Sequence, residues 1–231
     1  MQRLYLVSSS RVHGHGYLGH CEAELRQFMQ GVREVLFVPW ALQDHAGYEA
    51  KVAARFKELG LVLKSIHHAP DPVAAVASAE AIFVGGGNSF RLLDQLYAQG
   101  VMPTIRQRVR AGELRYMGSS AGTNMACPTL KTTNDMPIVQ PPSFEALGLI
   151  RFQINPHFLD ADPSSTHMGE TREDRIREFH EMNATPVLGL REGAQLLIEG
   201  ERIELRGIKG ARLFQRGLEP KELVPGALLE L

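Results

Sequence analysis

Residues 114–126 read Leu114-Arg115-Tyr116-Met117-Gly118-Ser119-Ser120-Ala121-Gly122-Thr123-Asn124-Met125-Ala126. A strand-like run, Leu114 to Met117, apolar but for Arg115, ends in Gly-Ser-Ser-Ala-Gly and passes into a helix-like segment, Ala121 to Ala126. This is Gly-x-Ser-x-Gly at a strand-to-helix corner, the arrangement of a nucleophile elbow in an α/β fold. A strand that turns this sharply strains its corner residue, so the neighbours must carry almost no side chain. The corner lifts the Ser120 hydroxyl clear of the sheet and aims the Ala121 N–H at an oxygen of the group under attack. Taken alone, the pentapeptide is explained equally well as a small-residue helix cap, with Ser119 or Ser120 capping Ala121 onward.

On the N-terminal side the chain alternates short apolar runs with amphipathic stretches. Leu4 to Val7, Val35 to Val38, Leu61 to Ile66 and Ala81 to Val84 read as strands that precede Leu114 to Met117. Cys21 to Val32, Gly47 to Leu59, Val73 to Ala79, Ser89 to Gln99 and Pro103 to Ala111 read as helices. Asp71 caps the third of these, with Pro72 at its first turn. Strands apolar on both faces and separated by helices predict an α/β fold: a mostly parallel sheet covered on both sides. The last third changes character. Val187 to Leu190, Ala194 to Ile198, Arg202 to Leu205 and Ala211 to Phe214 are short strands joined by tight turns. They are expected to form an antiparallel extension at one edge of the same sheet, so that residues 1–231 make one domain.

The composition narrows the function. Of 231 residues, 44% are hydrophobic, and 25 Lys and Arg balance 26 Asp and Glu for a net charge of −1. A nucleic-acid binder would carry a basic excess, and no apolar run approaches the ~20 residues of a membrane span. The apolar stretch in Met1 to Ser10 is short and broken by Arg3, unlike a signal segment. Cys21 and Cys127 form no Cys-x-x-Cys pair, which suits a reducing cytoplasm. No cofactor and no metal is expected. His13-Gly14-His15 with His20 and Cys21 matches no usual zinc spacing and reads as a glycine-rich surface loop.

Three further segments bear on chemistry. Gly85-Gly86-Gly87-Asn88 follows a strand directly, and three glycines there allow close backbone approach to a ligand. Gly87 is the best candidate for a second oxyanion N–H. A phosphate-cradling loop is the competing use, but neither Gly-x-Gly-x-x-Gly nor Gly-Lys-Ser/Thr is present. Among nine histidines, His157 stands out in Gln153-Ile154-Asn155-Pro156-His157-Phe158, where Pro156 stiffens the backbone before the imidazole. It is the leading general base for Ser120. A carboxylate must orient that imidazole. Asp135, in Thr132-Thr133-Asn134-Asp135-Met136-Pro137, and Glu192, in Leu190-Arg191-Glu192-Gly193, both qualify, and spacing does not separate them.

Together these segments resemble the peptidase E family, the α-aspartyl dipeptidases among serine peptidases. The likeness rests on Val84 to Phe90, Gly118 to Gly122, Ala126 to Thr129, Thr132 to Val139, Gln153 to Phe158 and Gly169 to Glu173, in that order. It weakens over the last thirty residues or so. The resemblance implies a class I glutamine amidotransferase-like fold and metal-free hydrolysis of dipeptides with an N-terminal aspartate. It implies Ser120 as nucleophile, His157 as base and Asp135 as third member, with Glu192 matching the family's alternative carboxylate. Arg172, in Gly169-Glu170-Thr171-Arg172, is the candidate for holding the substrate carboxylate, because a guanidinium binds carboxylates bidentately. The rival use of Arg172 is pairing with acids of its own helix. Ser119 departs from relatives that often carry Trp there, which would reshape the pocket. A homo-oligomer is compatible with all of this. The alternatives are a cyanophycinase-like hydrolase of β-linked aspartyl peptides on the same serine, and a non-catalytic small-molecule-binding module built on the glycine loop.

Overall fold

In the computed structural model, which describes residues 1–162, 164, 166 and 168–231, β1 (Arg3–Val7), β2 (Glu34–Val38), β3 (Val62–Ser65), β4 (Ala81–Val84) and β5 (Arg115–Ser119) pair in parallel. Their spatial order is β1-β5-β4-β2-β3. His167 lies outside the described residues. Alternate side chains of a strand point to opposite faces, and both faces here are covered. Leu4 and Leu6 join a core layer with α3 (Pro72–Ser78), α4 (Ser89–Ala98) and α5 (Met102–Ala111) through Val76, Leu92 and Ile105. Tyr5 and Val7 join the opposite layer with α1 (Glu22–Phe28) and α2 (His45–Glu58) through Leu25, Val52 and Phe56. Double-sided burial is why β1, β2 and β4 are near-continuous apolar runs, whereas β3, at the edge of the sheet, keeps Val62 and Lys64 exposed.

The C-terminal third departs from the single-edge extension expected of it. β6 (Gln153–Phe158), β7 (Val187–Arg191), β10 (Ala211–Phe214) and β11 (Lys221–Leu223) form a separate four-stranded sheet, ordered β11-β10-β7-β6. β8 (Ala194–Glu199), β9 (Arg202–Gly207) and β12 (Leu228–Leu229) extend the main sheet to eight strands, antiparallel beside β1. The chain leaves one sheet for the other at Glu192-Gly193, where Gly193 takes φ +87°. A Cβ there would also meet Ile208 at 2.8 Å. An alternating strand pattern reports which face is buried, not which sheet receives the strand. That is why the split was not legible.

Two further α-helices are α6 (Ala121–Ala126), behind β5, and α7 (Arg172–Met182). Among the described residues, no helix is long and apolar enough to cross a membrane. The carboxyl ends of β1, β4 and β5 open side by side, the usual location of ligand sites in such sheets.

Candidate active site

Ser120 is the corner between β5 and α6, with φ 54° and ψ −111°. A side chain at positive φ is strained and persists only where the surroundings force it. Here the forcing is steric. A Cβ on Gly118 would lie 2.4 Å from the Gly122 carbonyl oxygen, and one on Gly122 would lie 2.0 Å from that of Val84. A Cβ on Gly86 would come within 3.0 Å of the Ser120 Cβ. The Ser120 N–H donates to the Val7 carbonyl at 3.0 Å, and Thr123 Oγ1 donates to the same oxygen at 2.7 Å. Ser119 points into the protein, fully buried, and its hydroxyl has no partner among the described residues.

His157 comes from the other sheet. It too has positive φ, 53°, at an irregularity between Pro156 and Phe158 in the β6–β7 pairing. The bulge turns the imidazole out of its strand toward the elbow. Nε2 lies 2.9 Å from Ser120 Oγ, and Nδ1 lies 2.7 Å from Glu192 Oε1. A neutral imidazole protonated at Nδ1 would donate to Glu192 and accept the serine proton at Nε2. The backbone of His157 is fixed as well. Its N–H donates to Ser8 Oγ at 2.9 Å, and the Ser8 hydroxyl donates to the Leu190 carbonyl at 2.7 Å.

The carboxylate on the imidazole is therefore Glu192, and the expectation that Asp135 fills that place is corrected. Asp135 Oδ2 instead accepts from the Ser89 N–H at 2.8 Å, at the start of α4, where the helix dipole favours a negative charge. Its segment still matters to His157, indirectly. Asn134 Nδ2 donates to the Pro156 carbonyl at 2.7 Å, and Asn155 Nδ2 donates to the Thr132 carbonyl at 3.0 Å. The polar turn is a bracket for β6.

A cleft of about 420 Å³ exposes Ser120 and His157 beside Gly86 and Gly87. The Gly86 N–H is taken by the Tyr48 hydroxyl at 2.9 Å. No acceptor for the N–H of Gly87 or of Ala121 is found among the described residues. Gly87 also has to be glycine: φ is +140°, and a Cβ would meet the Ala41 carbonyl oxygen at 2.5 Å.

Two cations that no sequence motif marks, Arg11 and Lys51, stand on the wall of this cleft. Lys51 Nζ sits 4.2 Å from the centre of the Tyr17 ring. Burial first, then Arg11, holds the ammonium below the usual lysine range. Neither cation forms a salt bridge among the described residues. Arg172 is not on this wall. It lines a separate hollow with Asp160, Asp162 and Arg175, at the first turn of α7, which Thr171 and Asp174 cap reciprocally. Burial and then Arg175 lower its pKa, and the charge of Asp135 opposes them.

The early histidines do not assemble with Cys21. The thiol of Cys21 is buried, bonds the Leu18 carbonyl and is pushed up to about 12, mainly by burial. His13 and His15 line the outer cleft. His20 is buried, with both ring nitrogens unpartnered among the described residues.

Comparison with known proteins gives the same direction throughout. The model of peptidase family S51 matches residues 4–206. Peptidase E of Streptomyces coelicolor is 54% identical over 224 residues, covering 97% of this chain and 92% of its own. The probable alpha-aspartyl dipeptidase of Drosophila melanogaster is 47% identical, covering 97% and 94%. Among solved structures, a peptidase from an acI-B1 actinobacterium superposes with TM-score 0.71 at 18% identity, covering 100% of this chain and 97% of that one. A putative peptidase E from Listeria monocytogenes gives 0.67 at 22% identity, covering 90% and 100%. At these identities the two structures speak to the fold.

Proposed function

The chain belongs to peptidase family S51, and from that premise we propose that it hydrolyses dipeptides with an N-terminal aspartate through an acyl-enzyme on Ser120. The observation that carries the chemistry is the relay Glu192–His157–Ser120, with separations of 2.7 and 2.9 Å. His157 takes the hydroxyl proton as Ser120 Oγ attacks the peptide carbonyl. The N–H groups of Gly87 and Ala121 receive the oxyanion, each donor being worth roughly 3–4 kcal/mol in such sites. His157 then protonates the leaving amine. Water, deprotonated by the same imidazole, releases aspartate and frees Ser120. Glu192 holds the ring and stabilises it while it is charged. Nothing in this sequence of steps requires a metal.

The substrate class follows from charge. An Asp-X dipeptide carries two carboxylates, and Arg11 and Lys51 offer two cations that have no carboxylate partner among the described residues, beside the nucleophile. They replace Arg172 as the residues that hold these groups. The two buried free thiols suit a reducing cytoplasm.

The test is release of aspartate from Asp-Leu, run beside Asn-Leu, Leu-Asp, an Asp-initiated tripeptide and β-linked Asp-Leu. Wild type should turn over Asp-Leu and discriminate against Asn-Leu, while Ser120→Ala should lose on the order of 10⁵–10⁶-fold in kcat. Cleavage of only the β-linked peptide would keep the serine mechanism and replace the substrate. Full activity in Ser120→Ala would end the nucleophile assignment.

A further inference from the structure

Outside the cleft, Glu49 of α2 meets His67 and His68 of the 3-10 turn Ile66–His68, which follows β3. One carboxylate oxygen and one nitrogen from each imidazole all lie within 4.8 Å of one another. Glu49 Oε2 is 2.8 Å from His68 Nε2 and 3.8 Å from His67 Nε2. Ser65 Oγ engages His67 Nδ1 at 2.6 Å, so Nε2 is the nitrogen left facing Glu49. A third imidazole, His45, lies one helical turn before Glu49, its ring centre 5.5 Å from that of His67. None of the three ligand candidates lines the cleft that holds Ser120.

We propose that Glu49, His67 and His68 bind a divalent transition-metal ion, with Zn²⁺ the best match and water completing a four-coordinate shell. Two imidazoles converging on one carboxylate oxygen exceed what an ion pair needs, since one suffices. Two nitrogens and one oxygen are the donor set that zinc accepts readily. Bonds of about 2.0–2.2 Å at tetrahedral angles place ligand atoms roughly 3.3 Å apart. The observed 2.8 and 3.8 Å lie on either side of that separation. The Ser65–His67 bond is the outer hydrogen bond that metal-bound imidazoles usually carry, fixing tautomer and ring orientation. An ion here joins α2 to the turn after β3. The same helix carries Tyr48, whose hydroxyl accepts from Gly86, so the ion braces the helix that props the glycine loop.

The test is a Zn²⁺ titration of the metal-stripped full chain against a chromophoric chelator near neutral pH. Wild type should bind an equivalent with a submicromolar Kd, weakened about 10–100-fold in Glu49→Gln and in His68→Ala. Co²⁺ should give the visible absorption of a four-coordinate ion in wild type and lose it in both variants. Turnover of Asp-Leu without added metal should be unchanged by either substitution. His157→Ala should keep the equivalent, which separates this site from adventitious binding at the catalytic imidazole. Glu49→Gln keeps the shape of the side chain, so it decides the matter if His68→Ala fails to fold. Absence of Zn²⁺ binding by wild type at ~10 µM, equal binding by Glu49→Gln, or loss of the equivalent in His157→Ala would each overturn the site.

Discussion

The two sheets contribute to the site in opposite ways. The eight-stranded sheet delivers Ser120 by backbone exclusion: Gly118, Gly122 and Gly86 leave the corner no other path, and its surroundings are buried. The four-stranded sheet delivers His157 and Glu192 by side-chain reach, and these remain 36% and 48% exposed. One half is set by what cannot fit, the other by what can extend. Damage to the first should therefore appear in stability, and damage to the second in turnover.

The largest separation should come from the two carboxylates. Glu192→Gln should lower kcat on Asp-Leu on the order of 10³–10⁴-fold, with the melting temperature little changed because the side chain is exposed. Asp135→Asn should cost far less in kcat and about 1 kcal/mol in stability, as expected for a weakened helix-terminus contact. Parallel kinetics and denaturation of the two variants check this. An Asp135→Asn loss in kcat as deep as that of Glu192→Gln would break the contrast.

Gly122→Ala probes the other sheet. Its Cβ would be driven to 2.0 Å from the Val84 carbonyl oxygen and 2.7 Å from the carbonyl carbon behind it, both backbone atoms. Overpacking of this kind costs about 1–3 kcal/mol and sometimes more. Urea denaturation should show that loss. A variant as stable as wild type would mean that the corner is not sterically forced.

The smallest effect concerns acid. The pKa of His20 is lowered to about 4, by burial first and then by His15, with Glu192 acting the other way. The unfolded chain binds its proton near pH 6.5. Between those values the unfolded state holds more protons, so acidification from 6.5 toward 4 destabilises the fold and alkalinisation restores it. His20→Asn should flatten the part of this slope above pH 5, where few carboxylates titrate, in melting curves collected at successive pH. An unchanged slope would remove His20 from the account.

Much of the first sheet was legible because its information is local. Five short strand-like runs, the Asp71 cap with Pro72 behind it and a five-residue corner each state their structure within a few positions. The relay was only half legible. His157 could be picked from its Asn-Pro setting, but the choice between Asp135 and Glu192 depends on how a second sheet docks, and no run of residues encodes that. The strands after residue 187 alternate identically whichever sheet they enter, so their division was hidden. Arg11 and Lys51 were hidden for another reason: they come from a loop and a helix forty residues apart, and either alone looks like an ordinary surface cation. The position of Arg11, just past the carboxyl end of β1, was the one available signal.

Val7 and Ser8 are consecutive residues at the end of one strand, yet the Val7 carbonyl holds the nucleophile's corner and the Ser8 hydroxyl holds the backbone of the base. In machining, two holes drilled from a common datum keep their spacing even when the plate around them warps. The same logic applies at the 2.9 Å gap between His157 and Ser120. A displacement of one sheet against the other would be largely subtracted from that gap, because both ends are located from adjacent residues. The catalytic distance can then be better defined than the average packing of the two sheets that supply it.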